Sequence, residues 1–169
     1  MRCEQFLKSI AVGPSPGPLA AIPGQDRSRH PALEMQRIHE DKLTLCAALE
    51  TIADTLPDAV CRLECLRIAS ILVPMLRDAH NYEGDVIFPA FASATGRSDT
   101  DPTLHRLRVE HVEDESFADE VTEVLLAVGH GKPIENPEAF GFMLRGLFET
   151  LRRHIAFERE HVLPVIVGD

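Results

Sequence analysis

The chain contains no Trp, a single Tyr and no apolar run that approaches the length of a membrane-spanning helix. Such a helix needs about 20 apolar residues in succession, so no membrane segment and no membrane partner are expected. Long runs of β-branched residues and alternating apolar and polar positions are also missing, which argues against an extensive β-sheet. Lys8 interrupts a short apolar stretch that Pro and Gly follow, so we predict no signal peptide and a cytoplasmic protein.

The net charge of the 169 residues is −10, with 27 acidic and 17 basic side chains. An acidic surface repels the phosphate backbone of nucleic acids, so nucleic acid is not expected as a partner. Apolar residues make up 44% of the chain, which is ordinary for a globular protein. Leu, Ala, Glu and Arg dominate the composition, and these residues favour helix.

Pro and Gly are frequent near the N-terminus, where residues 1–30 have no periodic pattern and are predicted to form a flexible tail. Residues 31–169 are predicted to form one domain of four amphipathic helices, at about 31–56, 58–94, 102–128 and 137–167. Asp101-Pro102 and Asn136-Pro137 are start signals for the last two helices, and Pro74 predicts a kink in the second. The short connections predict an all-α, up-down-up-down antiparallel four-helix bundle.

A histidine interrupts the inward apolar stripe of every predicted helix. In the fourth helix the stripe runs through Leu147 and Leu151 before it reaches His154 and Glu158, with spacings that keep all of them on one face. In the first helix the stripe is assigned to Met35, His39, Leu43 and Cys46, and in the third to Leu107, His111, Glu115 and Ala118. The polar residues at inward positions of the four stripes are His39, His80, Glu83, His111, Glu115, His154 and Glu158.

Several carboxylates in one apolar interior need a positive partner. Burying a single unpaired carboxylate costs roughly several kcal/mol, and mutual repulsion adds to that cost when three are buried together. Imidazole and carboxylate together are typical ligands of iron, manganese or zinc. One ion does not readily use seven side chains, so the pattern predicts two ions that share bridging carboxylates.

The histidines also lie at related depths in the predicted helices. His39 and His111 come 17 residues before the ends of their helices, and His154 comes 17 residues after the start of its own. At 1.5 Å per residue, each is about 26 Å from the same end of the bundle. His80 comes 22 residues after Asp58, so it is deeper by about 7 Å unless the helix starts late or bends at Pro74.

These residues resemble the hemerythrin-like, or HHE cation-binding, family over about residues 33–167. The matching pieces are RIHEDKL at 37–43, HNYEGDVIFPAF at 80–91, EHVEDE at 110–115 and RRHIAFEREHVLPVI at 152–166. The resemblance implies two non-haem iron ions (Fe2+ or Fe3+) that an oxo bridge can join, with manganese or zinc as alternative ions. It further implies that Glu158 is a bridging carboxylate and that the terminal ligands are His39, His80, His111 and His154.

The second helix departs from the family pattern. The family usually has its acid four residues after the histidine and a Pro ten residues after it, whereas here Gly84 and Pro89 stand at +4 and +9. One residue is therefore missing relative to the pattern, and Glu83 takes the place of the acid, with Asp85 as the alternative.

The third helix departs from the pattern as well. Oxygen-carrying hemerythrins have a second histidine four residues after the first on this helix, and here that position is Glu115. A carboxylate-rich site stabilises the higher oxidation states of iron, which argues against reversible oxygen transport. Glu115 either binds the metal directly or orients one of its ligands.

Four functions fit this resemblance. The first two are a sensor or regulator that binds O2 or NO and signals to a separate protein partner, and a stress-protective protein that handles iron. The third is a di-iron enzyme that acts on peroxide or O2. The fourth is a binding module in which the metal is only structural.

The sequence also suggests two possible roles for the cysteines. Cys46, Cys61 and Cys65 are interpreted mainly as small apolar residues of the interior. A redox switch is the alternative, because Cys61 and Cys65 lie one helical turn apart and Cys46 comes near them across a short hairpin.

We predict that Glu83→Gln reduces metal binding more than Asp85→Asn. Glu83 lies on the inward stripe one turn after His80, whereas Asp85 does not. Elemental analysis of the two purified variants tests the ranking. The opposite order would show that the gap in the motif has been placed at the wrong residue.

Overall fold

The computed structural model describes residues 30–98 and 101–168, and all regular secondary structure in these ranges is helical. This confirms the all-α class. The helices are α1 (Pro31–Asp54), α2 (Arg62–Tyr82), α3 (Phe88–Thr95), α4 (Pro102–Gly129), α5 (Pro137–His161) and α6 (Leu163–Val167), with a π-helical turn (Glu83–Ile87) between α2 and α3. The tail predicted for residues 1–30 lies outside the described residues, apart from its last residue.

The predicted starts of the last two long helices are confirmed. Asp101 Oδ1 accepts a hydrogen bond from the backbone N–H of Thr103 at 2.8 Å, and Asn136 Oδ1 accepts one from Ala139 at 2.9 Å. In each helix a Pro follows at the first helical position, where no amide hydrogen is needed.

The sequence predicted one continuous helix over 58–94, but the structure divides this range into α2, the π-helical turn and α3. Helix α2 begins at Arg62, passes through Pro74, and ends at Tyr82, where the π-helical turn takes over. A π turn is rare and occurs frequently at functional sites. The fourth helix also ends earlier than predicted, at His161, and the short α6 follows.

The late start of α2 removes the mismatch in the depth of His80. Because the helix begins at Arg62, His80 is about as far from the start of α2 as His154 is from the start of α5. His111 and His39 lie at similar distances from the ends of α4 and α1. At 1.5 Å per residue, the four histidines therefore lie about 23–27 Å from these helix ends.

The long helices pack in two principal pairs, α1 with α5 and α2 with α4. In both pairs the contacting residues occur in opposite order along the two helices, as expected for antiparallel neighbours. Between α1 and α5 these contacts are His39 with Glu158, Glu50 with Arg152, and Asp54 with Arg145. Between α2 and α4 they are Arg77 with Asp119 and His80 with Glu115, and Glu83 in the following π-helical turn continues the order with His111.

Two apolar clusters fill the interior, one on each side of the four histidines along the helices. The larger cluster contains Leu49, Leu72, Leu125 and Leu147, and the smaller contains Met35, Ile87, Leu107 and Val162. On every long helix the polar inward residues come between members of the two clusters, so they form one polar layer in the core.

The structure bears out part of the interpretation of the cysteines. Cys46 and Cys65 are free and fully buried, and burial raises the pKa of each thiol to about 11. Cys61 is only half-buried, so it is not a full member of the interior. Among the described residues, no helix is long and apolar enough to cross a membrane.

We expect Cys46 and Cys65 to resist alkylation by iodoacetamide in the native protein at pH 8. With thiol pKa values of about 11, roughly one thiol in a thousand is ionised, and both sulfurs are shielded from the reagent. Peptide mass spectrometry measures labelling at each site, and the same protein in guanidinium is the positive control. Rapid native labelling of either residue would contradict the packing described here.

Candidate metal centre

Four side chains from three segments bring possible ligand atoms together in the polar layer. Glu83, His111, His154 and Glu158 each offer one atom, and these atoms all lie within 4.8 Å of one another. All four side chains are buried. Two carboxylates and two imidazoles at this separation are typical of the ligands of a single transition-metal ion.

The inward atoms of these residues approach one another without forming hydrogen bonds. His111 Nε2 lies 3.0 Å from Glu83 Oε2, and His154 Nε2 lies 3.4 Å from Glu158 Oε1. None of these four buried atoms has a hydrogen-bond partner within the described part of the chain. A buried polar atom without a partner is costly, and a cation between them would satisfy all four together. The donor set therefore fits a metal ion.

Glu83 reaches the cluster from the first residue of the π-helical turn. Its side chain is fully buried, while Asp85, two residues later in the same turn, is exposed. The structure thus places Glu83 and not Asp85 beside His111.

His39 and His80 line the same layer but are outside the four-residue cluster. His39 Nε2 lies 2.9 Å from Glu158 Oε2, whereas the other oxygen, Oε1, lies 3.4 Å from His154 Nε2. The His80 ring stacks on His111 with ring centres 3.9 Å apart. Its Nε2 atom has no hydrogen-bond partner among the described residues.

Glu115 contacts His80 from the outer side. Glu115 Oε1 lies 2.9 Å from His80 Nδ1, and Arg77 contacts the other carboxylate oxygen at 3.4 Å. The Glu115 side chain is 28% exposed. A carboxylate on the outer nitrogen fixes the tautomer and orientation of an imidazole, and the geometry gives Glu115 that position.

Asp114 holds the inward position on α4 that the sequence had assigned to Glu115. Asp114 is only 2% exposed, and its Oδ2 atom lies 3.6 Å from His154 Nδ1. The spacing from Leu107 through His111 and Asp114 to Ala118 is four, three and four residues, which is as regular as the predicted one. The stripe assignment was wrong here because both spacings are helical.

Lys42 is the functional candidate that the sequence analysis missed. The inward stripe of α1 runs through His39, Lys42 and Cys46, whereas Leu43, which had been assigned to it, is only half-buried. Lys42 is 1% exposed, and its Nζ atom donates a hydrogen bond to Glu83 Oε1 at 2.8 Å. The spacing from His39 to Cys46 could have indicated it, because Lys42 divides this interval into three and four residues and Leu43 into four and three, and both spacings are helical.

The buried charges stabilise one another. Burial alone would lower the pKa of Lys42, but Glu83 and Glu158 outweigh burial and raise it, so the amine is held as ammonium. Burial alone would raise the pKa of Glu158, but His154, His39 and Lys42 lower it. Burial lowers the pKa of His80, which leaves this imidazole neutral, the form that binds metals.

A small polar cavity leads from the surface to His154. Its volume is about 90 Å³, and its lining includes the buried Asp114 and His154 and the exposed Arg106 and Arg153. This volume holds a few water-sized molecules. Of the four cluster residues only His154 lines the cavity, beside Glu110 and Asp114 on the outer side of its ring.

Comparison with known proteins agrees with this site. A family model described as the Hemerythrin HHE cation binding domain matches residues 30–166, which confirms the resemblance seen in the sequence. No curated protein and no solved structure matches the chain significantly.

We predict that Asp114→Asn weakens ferrous ion binding by about 10- to 100-fold, because loss of an outer carboxylate behind a histidine ligand has effects of that size. Glu120→Gln, an exposed carboxylate on the same helix that does not line the cavity, is the matched control and should bind as the unaltered chain does. Anaerobic competition against a chelator measures both affinities. Equal affinities for the two variants would remove Asp114 from the site.

Proposed function

Since the chain belongs to the hemerythrin HHE cation-binding family, we propose that it is a non-haem iron protein that responds to O2, NO or the redox and iron state of its surroundings. The observation that carries the proposal is the buried cluster of Glu83, His111, His154 and Glu158. Iron bound there would supply reversible one-electron chemistry and affinity for diatomic ligands. The sequence-based number of two ions stays a prediction.

The protein side chains bind and orient the ion. His111 and His154 would hold it through Nε2, and Glu83 and Glu158 through one oxygen each. Glu110 and Asp114 lie 3.3 and 3.6 Å from His154 Nδ1, on the outer side of that ring. Carboxylates on this side favour the tautomer of His154 that leaves Nε2 free to bind the ion.

The small size of the cavity at His154 favours a small ligand over a bulky substrate. The cavity at His154 is about 90 Å³, which suits a diatomic molecule or peroxide. An enzyme that oxidises an organic substrate needs a larger opening beside its metal. The small cavity therefore favours sensing or iron handling over oxidation of an organic substrate, and peroxide turnover is the enzymatic alternative.

We also propose that residues 31–169 form the up-down-up-down four-helix bundle predicted from the sequence. The opposite order of contacts in the pairs α1–α5 and α2–α4 supports this arrangement. A bundle of this kind places residues from each helix around one internal layer.

Spectroscopy of the iron-loaded protein tests the function. We expect the ferrous protein to change its optical spectrum when NO is added and to recover when NO is removed, and O2 to oxidise it to a ferric form that absorbs in the near ultraviolet. His154→Ala, which removes a proposed ligand next to the cavity, should lose most of the response.

The other functions give different results. Sustained turnover of peroxide without loss of metal would assign the chain to the enzymes. A zinc-loaded protein as isolated, with no response to NO after iron loading and with stability lost on chelation, would leave a structural metal site and contradict the proposal.

A further inference from the structure

Lys42 is a buried cation inside the polar layer, hydrogen-bonded to a carboxylate of the metal cluster. It comes from α1, three residues after His39, and its side chain is almost completely buried. Its Nζ atom lies 2.8 Å from Glu83 Oε1, and the charges of Glu158 and Asp114 also act on the ammonium group. Its partners are thus the carboxylates of the metal cluster.

Each of the two cluster carboxylates has only one oxygen left for a metal. Glu83 uses Oε1 for Lys42, and its Oε2 faces His111. Glu158 uses Oε2 for His39, and its Oε1 faces His154. A carboxylate that bridges two ions in the common two-oxygen mode offers one oxygen to each ion, and in Glu83 and Glu158 the second oxygen is already hydrogen-bonded to Lys42 and His39, respectively.

The charge of the layer fits one divalent ion. Glu83, Asp114 and Glu158 are nearly or fully buried and carry three negative charges when ionised. Lys42 offsets one of them, and one divalent cation offsets the remaining two. A second divalent ion beside the ammonium group would leave an uncompensated positive charge in the core.

We propose that Lys42 takes the place of the second metal ion, so that the chain binds a single ion through Glu83, His111, His154 and Glu158. His39 then orients Glu158, and His80 stacks on His111, with its Nε2 atom left without a partner as long as Lys42 occupies the layer. This inference rests on the proposed function for the bound ion itself. It replaces the sequence-based expectation of two ions.

The number of ions per chain tests the proposal directly. The unaltered chain is loaded anaerobically with excess ferrous iron, desalted and measured by elemental analysis, and about one iron per chain is expected. Lys42→Met keeps the length of the side chain and removes its charge. It frees Glu83 Oε1 for a second ion beside His39 and His80, so the iron content should rise to about two per chain.

Lys132→Met is the matched control, because Lys132 is exposed and lies in the connection after α4, where its neighbours include none of the cluster residues. It should retain about one iron per chain. Electron paramagnetic resonance of the oxidised proteins gives a second readout. A single high-spin ferric ion gives a signal, whereas two bridged ferric ions couple and lose it, so Lys42→Met should lose the signal that the other two proteins show.

The outcomes separate this inference from the proposed function. Two coupled irons in the unaltered chain would overturn the role of Lys42 and leave the iron protein intact. One iron in a folded Lys42→Met variant would also overturn it. No iron in any of the proteins would end the proposed function as well. If Lys42→Met does not fold, Lys42→Gln and the unaltered chain decide the question by the same two measurements.

Discussion

The structure depends on the neutralisation of carboxylates that lie in the core. Glu83, Asp114 and Glu158 are all within the polar layer, with almost no access to water. An unpaired buried carboxylate costs roughly several kcal/mol, which is a large share of the total stability of a domain. The counterparts of these carboxylates are imidazoles, the ammonium group of Lys42 and the proposed metal ion.

The two apolar clusters offset the cost of this layer and hold it in place. They pack the four long helices on both sides of the histidines, so the ligand atoms do not depend on loops for their positions. Short connections and capped starts fix how far each helix extends. The matched depth of the histidines follows from these helix boundaries.

The sequence predicted the all-helical class, the capped starts and the burial of His39, His80, His111 and His154, because residue type and helical spacing agree at those positions. It did not predict Lys42 or Asp114. Spacings of three and four residues are equally helical, and residue type then favoured Leu43 over a lysine. The π-helical turn was not predicted, although it lies where the sequence departs by one residue from the family motif.

Lys42 has a consequence for the order in which the protein is assembled. Small zinc domains remain unfolded until the metal arrives, because nothing else in the chain offsets their ligands. Here an ammonium group that is part of the chain already accompanies Glu83 and Glu158. We therefore infer that the bundle can fold before its proposed ion binds.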